Sequence, residues 1–454
     1  MDTITKNVRC VEYLAVFSSL INVLVAGMQD GWSSAALPKL LSDTSTVAIT
    51  NDQGSWLAMA NVLGAPIGCL SGGYLIDLMG RQTIILAASA PFIASWLTIS
   101  FGANFAVLCV GRVLGGLAEG WVFTAAPTYI CEICDAKIRG FFGMSLTVCY
   151  NLGILLSNVT GSYLSVQMAA LVNSAFPILA FIAFVWFPES PYYYIMRNRN
   201  QEARRSLSRL KSEDQIAEAL RRIGNAVKDH RENSGKMKEL FTVKNNRRAS
   251  VMTMMVRFIQ QLGGIGPVTS YAQIIFRETG SQVSAEIYSI IFFSIQLTVT
   301  MITAPIIDRV GRRPLLLIST AGASLCACAL GVYFGLQYYR IWDLRNWFFV
   351  PVVALMGYSV IVELGLHPIP MFAVAEYFPA NVRGLAVGMG DVYYCVFWAL
   401  GTKMFQATKE ACGIHVPFLV FSLVLAFGVF YMWKHVPETN EKTLEEIQED
   451  LNQK

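Results

Sequence analysis

Apolar residues in this chain come in long runs, separated by short clusters of charge, Gly and Pro. Twelve runs are legible, starting near Val11, Ser55, Thr83, Phe105, Phe141, Met168, Ser250, Ala285, Pro314, Trp347, Leu385 and Val416. An α-helix needs about 20 such residues to cross the hydrocarbon core of a bilayer. Lipid offers no partner to a backbone N–H or C=O, so a spanning segment must bond internally, and the runs predict helices. The fold class expected is an all-α membrane protein of twelve spans, six in each half. Several runs contain Gly and Pro, as in Gly263-Gly264-Ile265-Gly266-Pro267 and His367-Pro368-Ile369-Pro370. Within a bundle, neighbouring helices and cavity water satisfy the backbone groups that such breaks release.

The charged clusters at the ends of these runs occur twice, in the same order. The first half carries Asp77-Leu78-Met79-Gly80-Arg81, then Glu132 ahead of Arg139-Gly140, then Pro188-Glu189-Ser190. The second carries Asp308-Arg309-Val310-Gly311-Arg312, then Glu376 ahead of Arg383-Gly384, then Pro437-Glu438-Thr439. Three pairs in register are not a chance event; they mark an internal duplication, the way many transporters are built. The expected organisation is a first six-helix half over 1–190, a linker over 191–248, a second half over 249–436 and a tail over 437–454.

Composition agrees with a membrane protein. Hydrophobic residues make up 54% of 454 positions and charged residues 15%, against about 25% charged in a soluble protein. The loops with the duplicated motifs are rich in Arg and Lys, and 197–248 is the most basic stretch. The opposite loops, read as Gln29 to Gly54, Gly102 to Ala106 and Tyr163 to Gln167, hold almost no base. The positive-inside rule then puts both termini and the linker in the cytoplasm. Cys10 to Met28 is long enough to span, so no cleavable signal peptide is expected. The net charge of +4 comes largely from the inner loops and gives no reason to expect nucleic acid. Within the linker, residues 202–210 and 216–224 are amphipathic at helical spacing. They predict short helices under the bundle, serving either as a latch between the halves or as a basic linker drawn to anionic headgroups.

Taken together, these motifs resemble the sugar porter branch of the major facilitator superfamily over nearly the whole chain. The matches include Gly54-Ser55-Trp56, Gly111-Arg112, Pro188-Glu189-Ser190-Pro191, Gln260-Gln261 ahead of Gly264, Pro368-Ile369-Pro370, Glu376 with Phe378-Pro379, and Pro437-Glu438-Thr439 ahead of Lys442-Thr443-Leu444. Within the branch, the compact first outer loop, Trp32-Ser33-Ser34 and Thr402-Lys403-Met404-Phe405 are most similar to insect facilitated trehalose transporters. The resemblance implies alternating access: two halves rock about a central site. It also implies that the cytoplasmic charges form ion pairs between the halves, closing the inner gate while the site faces outward. The residues so assigned are Asp77, Arg81, Glu132, Arg139 and Glu189, with Arg309, Arg312, Arg313, Glu376, Arg383 and Glu438 opposite. Leu78, Gln82 and Tyr192 stand where the family carries bases, which would loosen the first-half cluster.

A sugar site needs groups that both donate to and accept from hydroxyls, and an aromatic face for the ring. Gln260 and Gln261 are adjacent amides just before a Gly-rich break. Adjacent helical positions point about 100° apart, so they cannot share a direction. The resemblance favours Gln260 as the binding amide and adds Gln296, Glu363, Tyr271, Thr147 and Tyr394. Several family residues are replaced: Gly266 stands at an Asn position, Met371 at a Trp, Tyr394-Cys395 at an Asn-Trp pair, Thr147 at a Gln and His367 at a Gly. Trehalose, other sugars and polyols stay open as substrates.

Proton-coupled members place an Asp in the first span facing an Arg in the fourth. Here the Asp position holds Gln29, with Asp30 beside it, while Arg112 is present. Glu119 and Asp391 are further intramembrane acids, functional candidates by default. The expectation is facilitated uniport, with Asp30, Arg112 and Glu119 as the residues that would serve coupling in a symporter. A transporter-like sugar sensor is the third reading, disfavoured by a short tail ending at Lys454. Cys131-Glu132-Ile133-Cys134 lacks the further ligands of a zinc site, Asn158-Val159-Thr160 lies inside a span, and Arg247-Arg248-Ala249-Ser250 is a weak phosphorylation match. No cofactor, metal or enzymatic activity is expected. The expected partners are a small sugar or polyol and the lipid bilayer, with the chain working as a monomer in the plasma membrane.

Overall fold

The computed structural model describes residues 2–43, 45, 47–134, 136–211, 213–232, 237–342, 344–379, 381–439 and 446. Of residues 2–10, 136–144, 213–214, 229–232, 304–305, 308, 345, 372 and 375 it describes the backbone alone. Every long element among the described residues is a helix. The first six runs form α1 (Asp2–Leu40), α2 (Asn51–Met79), α3 (Arg81–Phe101), α4 (Phe105–Ile133), α5 (Ala136–Tyr163) and the paired α6 (Val166–Asn173) and α7 (Ala175–Phe184). The linker forms α8 (Pro191–Met196), α9 (Asn200–Leu210), α10 (Glu213–Glu232) and α11 (Glu239–Thr242). The remaining runs form α12 (Lys244–Leu262) with α13 (Ile265–Glu278), α14 (Ala285–Val310), α15 (Arg312–Tyr338), α16 (Phe349–Ile361) with a π turn and α17 (Ile369–Tyr377), α18 (Arg383–Cys412) and α19 (His415–His435).

Ten segments among the described residues are long and apolar enough to cross a membrane. The two expected spans outside that set are α5 and α12–α13. Both spend apolar positions on amides turned into the bundle: Asn151, Asn158, Gln260 and Gln261 are each at most 1% exposed. One sequence expectation needs correction. Gln29 to Leu40 is not loop, because α1 runs on through it. Trp32, Ser34, Ala35 and Leu37 are buried there, and Lys39 Nζ caps the far end of α5 through the carbonyls of Gly161 (2.5 Å), Ser162 (3.0 Å) and Leu164 (2.6 Å). The connecting loop shortens to 41–50, ending in a capping box on Thr50 and Gln53.

Close helix pairs rest on small residues, because in lipid the packing of backbones replaces the hydrophobic effect. Along α1 and α5, a Cβ on Gly27 would lie 2.0 Å from the Tyr150 carbonyl oxygen, and one on Gly153 2.0 Å from that of Leu24. That pair therefore moves as one body. Contacts between the first six spans and the last six are of another kind. They run along α2 with α18, α1 with α13, and α5 with α14. The linker helices α8 to α10 sit under the first six spans: Ser206 Oγ donates to the Glu189 carbonyl at 2.5 Å, and Tyr193 Oη and Arg197 Nη2 donate to that of Leu78 at 3.1 and 2.9 Å. The last linker helix, α11, packs on α12 instead, where Ser250 Oγ donates to the Leu240 carbonyl at 3.2 Å. The amphipathic faces close on each other through Leu207, Ile216, Ala219, Ile223 and Val227.

Candidate substrate path and charged clusters

The duplicated motifs build the same object twice, at one end of the bundle. Gly80 joins α2 to α3 with φ +105°, and Gly311 joins α14 to α15 with φ +96°, a region reserved for residues without a Cβ. The turn exposes the first N–H groups of the next helix. Glu189 accepts them from Arg81 (2.9 Å), Gln82 (3.0 Å) and Thr83 (3.3 Å). Glu438 accepts from Arg312 (3.1 Å) and Arg313 (3.0 Å). Each glutamate is thus the N-terminal cap of a helix, where a negative charge also meets the positive end of the dipole. Alongside, Arg81 pairs with Glu132 at 3.0 Å and with Asp77 at 3.2 Å, and Arg312 pairs with Glu376 at 3.2 Å. Ser190 Oγ donates to Glu132, and Arg313 to the Trp433 carbonyl. Arg309 is exposed and the buried Nε of Arg383 has no partner. The side chains of Arg139 and Asp308 lie outside the described residues. Each of these ion pairs joins residues of one half. Pairing across the halves, expected from the sequence, is made by none of the ion pairs just named.

Bonds that do cross between the halves lie at mid-depth and at the other end. Asn151 Nδ2 donates to Thr300 Oγ1 (2.8 Å), Ser289 Oγ to Asn158 Oδ1 (2.9 Å), and Gln273 Nε2 to Ser162 Oγ (2.8 Å). Lys403 Nζ of α18 reaches Asp52 Oδ1 (2.5 Å) and Ser55 Oγ (2.9 Å) of α2 and lies 4.9 Å from the centre of the Trp56 ring. The bundle is therefore closed at the end away from the motif loops.

At the centre, two broken helices repair each other. α12 stops at Leu262 and restarts as α13 through Gly264 at φ +108°. The tenth run loosens into a π turn over Val362–Leu366 before His367-Pro368, a distortion frequent at functional sites. Gln260 Nε2 donates to the freed carbonyls of Leu366 and His367, both at 3.0 Å, and Tyr358 Oη donates to that of Gly263 at 2.9 Å. Arg257 Nη1 takes the Gln260 oxygen at 3.0 Å. Gln260 has then spent its amide on the scaffold. Its neighbour has not: Gln261 is fully buried and both its amide atoms lack a partner. A buried amide without partners costs several kcal/mol in principle.

Around this point Glu363 gathers Gln296 Nε2 (2.6 Å), Thr300 Oγ1 (2.9 Å) and His367 Nδ1 (2.7 Å). Through Thr300 the network reaches Asn151 in the first half. The Tyr271 ring stacks on Phe405 at 5.2 Å, its hydroxyl unpaired. Thr147 is buried with no bond to this network, and Tyr394 lies under the Arg257 guanidinium at 5.2 Å. A central aromatic that sequence reading missed is Trp398, buried with Val62, Ala65 and Cys395. A Cβ at Gly266 would strike its indole at 2.9 Å, which explains why a residue without a side chain holds that position. Its Nε1 is buried and unpaired. The signal in the sequence was the pairing of a lost side chain at 266 with an extra Trp one turn beyond Tyr394.

Arg112 does not touch the acids. It donates to the Gln29 carbonyl (2.5 Å) and side chain (3.3 Å) and to Ser33 Oγ (3.2 Å), and stacks on Trp32 at 4.9 Å. Asp30 and Glu119 instead share the amide of Asn61, at 2.9 and 2.6 Å, and Tyr150 Oη donates to Asp30. Both acids are nearly buried.

Comparison with known proteins fits this architecture. The family model described as "Sugar (and other) transporter" matches residues 17–451. The facilitated trehalose transporter Tret1 of Bombyx mori is 32% identical over 444 residues, covering 97% of this chain and 86% of that one. Its counterpart in Drosophila erecta is 32% identical over 446 residues, but there this chain spans about half, 52%, of the relative. Among solved structures, the inward open xylose transporter XylE from E. coli superposes with a TM-score of 0.80 at 19% identity, covering 96% of this chain and 99% of that one. XylE bound to 6-bromo-6-deoxy-D-glucose gives 0.77 at 21% identity, covering 97% and 99%. The resemblance read from the motifs is borne out, as is the all-α membrane fold. A multi-pass membrane protein matched over nearly its whole length by a family of carriers rather than enzymes, this chain belongs to the sugar (and other) transporter family.

Proposed function

We propose that the chain is a facilitative carrier of a neutral sugar or polyol, trehalose and hexoses included, working by alternating access between residues 1–190 and 249–436. The observation that carries this reading is the central pair of broken helices with one amide spent on the scaffold and its neighbour, Gln261, left with no partner. A polyhydroxyl ligand, donating and accepting at once, would satisfy Gln261 when bound. Trp398 and Tyr271 offer the ring faces. Closure away from the motif loops supports a state open toward them. The charged clusters would then pair across the halves when the bundle tips the other way, with linker helices α8 to α10 riding on the first half and α11 on the second. On the positive-inside rule the motif end faces the cytoplasm, together with both termini, in the plasma membrane. One chain suffices, since the path runs through a single bundle.

The test is radiolabelled uptake into oocytes expressing the full chain, with trehalose, glucose, fructose and a polyol, with and without a proton gradient. Saturable uptake independent of the gradient, and lost in Gln261→Ala at unchanged surface expression, is the expected result. Uptake that follows the gradient, and loses that dependence in Glu119→Gln, would replace uniport by symport through the Asp30–Asn61–Glu119 cluster. Absence of uptake for every sugar would overturn the proposal.

A further inference from the structure

One stretch of the linker keeps apolar side chains in the open. Leu207, Ile216, Ile223 and Val227 of α9 and α10 close on each other. At α11, by contrast, Met237 is 47% exposed, Phe241 50% and Val243 46%. The N–H groups of Leu240 and Phe241 bond to the carbonyls of Met237 (3.2 Å) and Lys238 (3.1 Å), so the helical turn begins at Met237. Met237 and Phe241 then lie four positions apart on one side of it, while Leu240 is fully buried where α11 packs on α12. Three bases accompany the exposed apolar group. Lys238, Lys244 and Arg247 are exposed, and none has an ion-pair partner among the described residues. Glu239 is the one acid in 237–247.

The depth of this turn is set by α12. Lys244, Arg247 and Val251 follow one another along a single face of that helix; the two bases are exposed and Val251 is 48% exposed. The face passes from base to apolar residue within about one turn, as it does where headgroups give way to hydrocarbon. α11 is tied to the same turn: Ser250 Oγ donates to the Leu240 carbonyl at 3.2 Å, and Asn246 Nδ2 to that of Glu239 at 3.3 Å. An apolar side chain left open to water forgoes the free energy of burial. At the headgroup border it recovers that free energy, and a base beside it meets phosphate. Three bases against one acid favour anionic over zwitterionic lipid. We propose that residues 237–247 form a foot that binds anionic phospholipid in the leaflet at the motif end. Met237, Phe241 and Val243 enter among the upper acyl carbons, and Lys238, Lys244 and Arg247 meet the headgroup phosphates. Such a foot serves whatever solute the chain carries and requires only a bilayer around the spans. Because α11 is bonded to α12, the foot moves with the second half.

The experiment is hydrogen–deuterium exchange of the purified full chain in nanodiscs, read at the backbone N–H groups of residues 238–243. These groups are expected to exchange about tenfold more slowly with phosphatidylserine in the bilayer than in phosphatidylcholine alone. Lys238→Gln, Lys244→Gln and Arg247→Gln together should remove that difference, and Phe241→Ser should shrink it. All four side chains are exposed, and the melting temperature shows that each variant is folded. Equal exchange in the two lipids, slow or fast, would overturn the foot, as would a difference that survives intact in the triple variant. Inorganic phosphate that slows exchange in phosphatidylcholine nanodiscs would make this a site for free phosphate. Protection lost on truncation after Thr439 would make the occupant the chain's own tail. Either of these results would overturn lipid as the partner.

Discussion

Gly80 and Glu189 should fail together rather than separately. A methyl group at Gly80 would have to adopt φ +105° and would sit 2.2 Å from Glu189 Oε2. The backbone strain of a non-glycine residue there is about 1–3 kcal/mol. The contact also drives the carboxylate off the N-terminus of α3, where it accepts three N–H groups. Bonds to a charged acceptor are worth about 1.5–3 kcal/mol each, and water at this half-open end replaces some of them. Gly80→Ala is thus expected to cost about 3–6 kcal/mol, and Glu189→Ala about 3–5 kcal/mol by loss of the same cap. Because the second substitution removes the atom that the first one strikes, the double variant should be less harmful than the sum by about 1.5–3 kcal/mol. The assay is the melting temperature of detergent-solubilised protein for wild type, both single variants and the double. Additive shifts, or a Gly80→Ala protein as stable as wild type, would refute the claim that glycine and glutamate form one device.

The second copy is looser, since a Cβ at Gly311 would lie 3.0 Å from Glu438 Oε2; Gly311→Ala should lower the melting temperature by less than Gly80→Ala, and an equal or larger drop would count against the geometry. Gly153→Leu should prevent accumulation of folded protein, because its side chain would enter the α1 backbone at Leu24; normal yield on size-exclusion chromatography would contradict this. Lys403→Met removes an ion pair whose Asp52 side chain is 67% exposed, so its cost to stability is under about 1 kcal/mol. Its effect should appear as faster thiol labelling of a cysteine introduced between α2 and α18, and unchanged labelling would show that the pair does not hold that end. Gln260→Ala should impair folding more than Gln261→Ala, the reverse of their effects on ligand affinity.

Much of the fold was legible because lipid leaves the backbone few choices: long apolar runs had to be helices, and the repeated motifs had to stand at equivalent places. The short loop after Leu40 was not legible, since small and polar residues such as Ser33, Ser34 and Ala35 look like loop in a hydropathy pattern although they are packed inside the bundle. The site was legible by residue type but not by direction. Gln260 and Gln261 were found together, yet which of them was free depended on carbonyls released over a hundred positions away, at Leu366 and His367. Glu189 and Glu438 read as gate charges, while their part as helix caps depends on Gly80 and Gly311 at positive φ, a backbone property with a weak sequence signature. Trp398 went unread because its contact with Gly266 joins two different helices, whose neighbours share no local spacing.

The crossing bonds between the halves join amides to hydroxyls and a lysine to an aspartate, not glycine backbones in close contact. When such a seam parts, each group finds water instead of its former partner and little free energy is lost. Acyl chains have no such exchange to offer, so the opened cleft is wetted along these bonds. Beside them Val62 and Ala65 of α2 pack on Cys395 and Trp398 of α18, so a blocker designed to wedge that cleft must be amphipathic, polar where the amides and hydroxyls part and apolar against this patch.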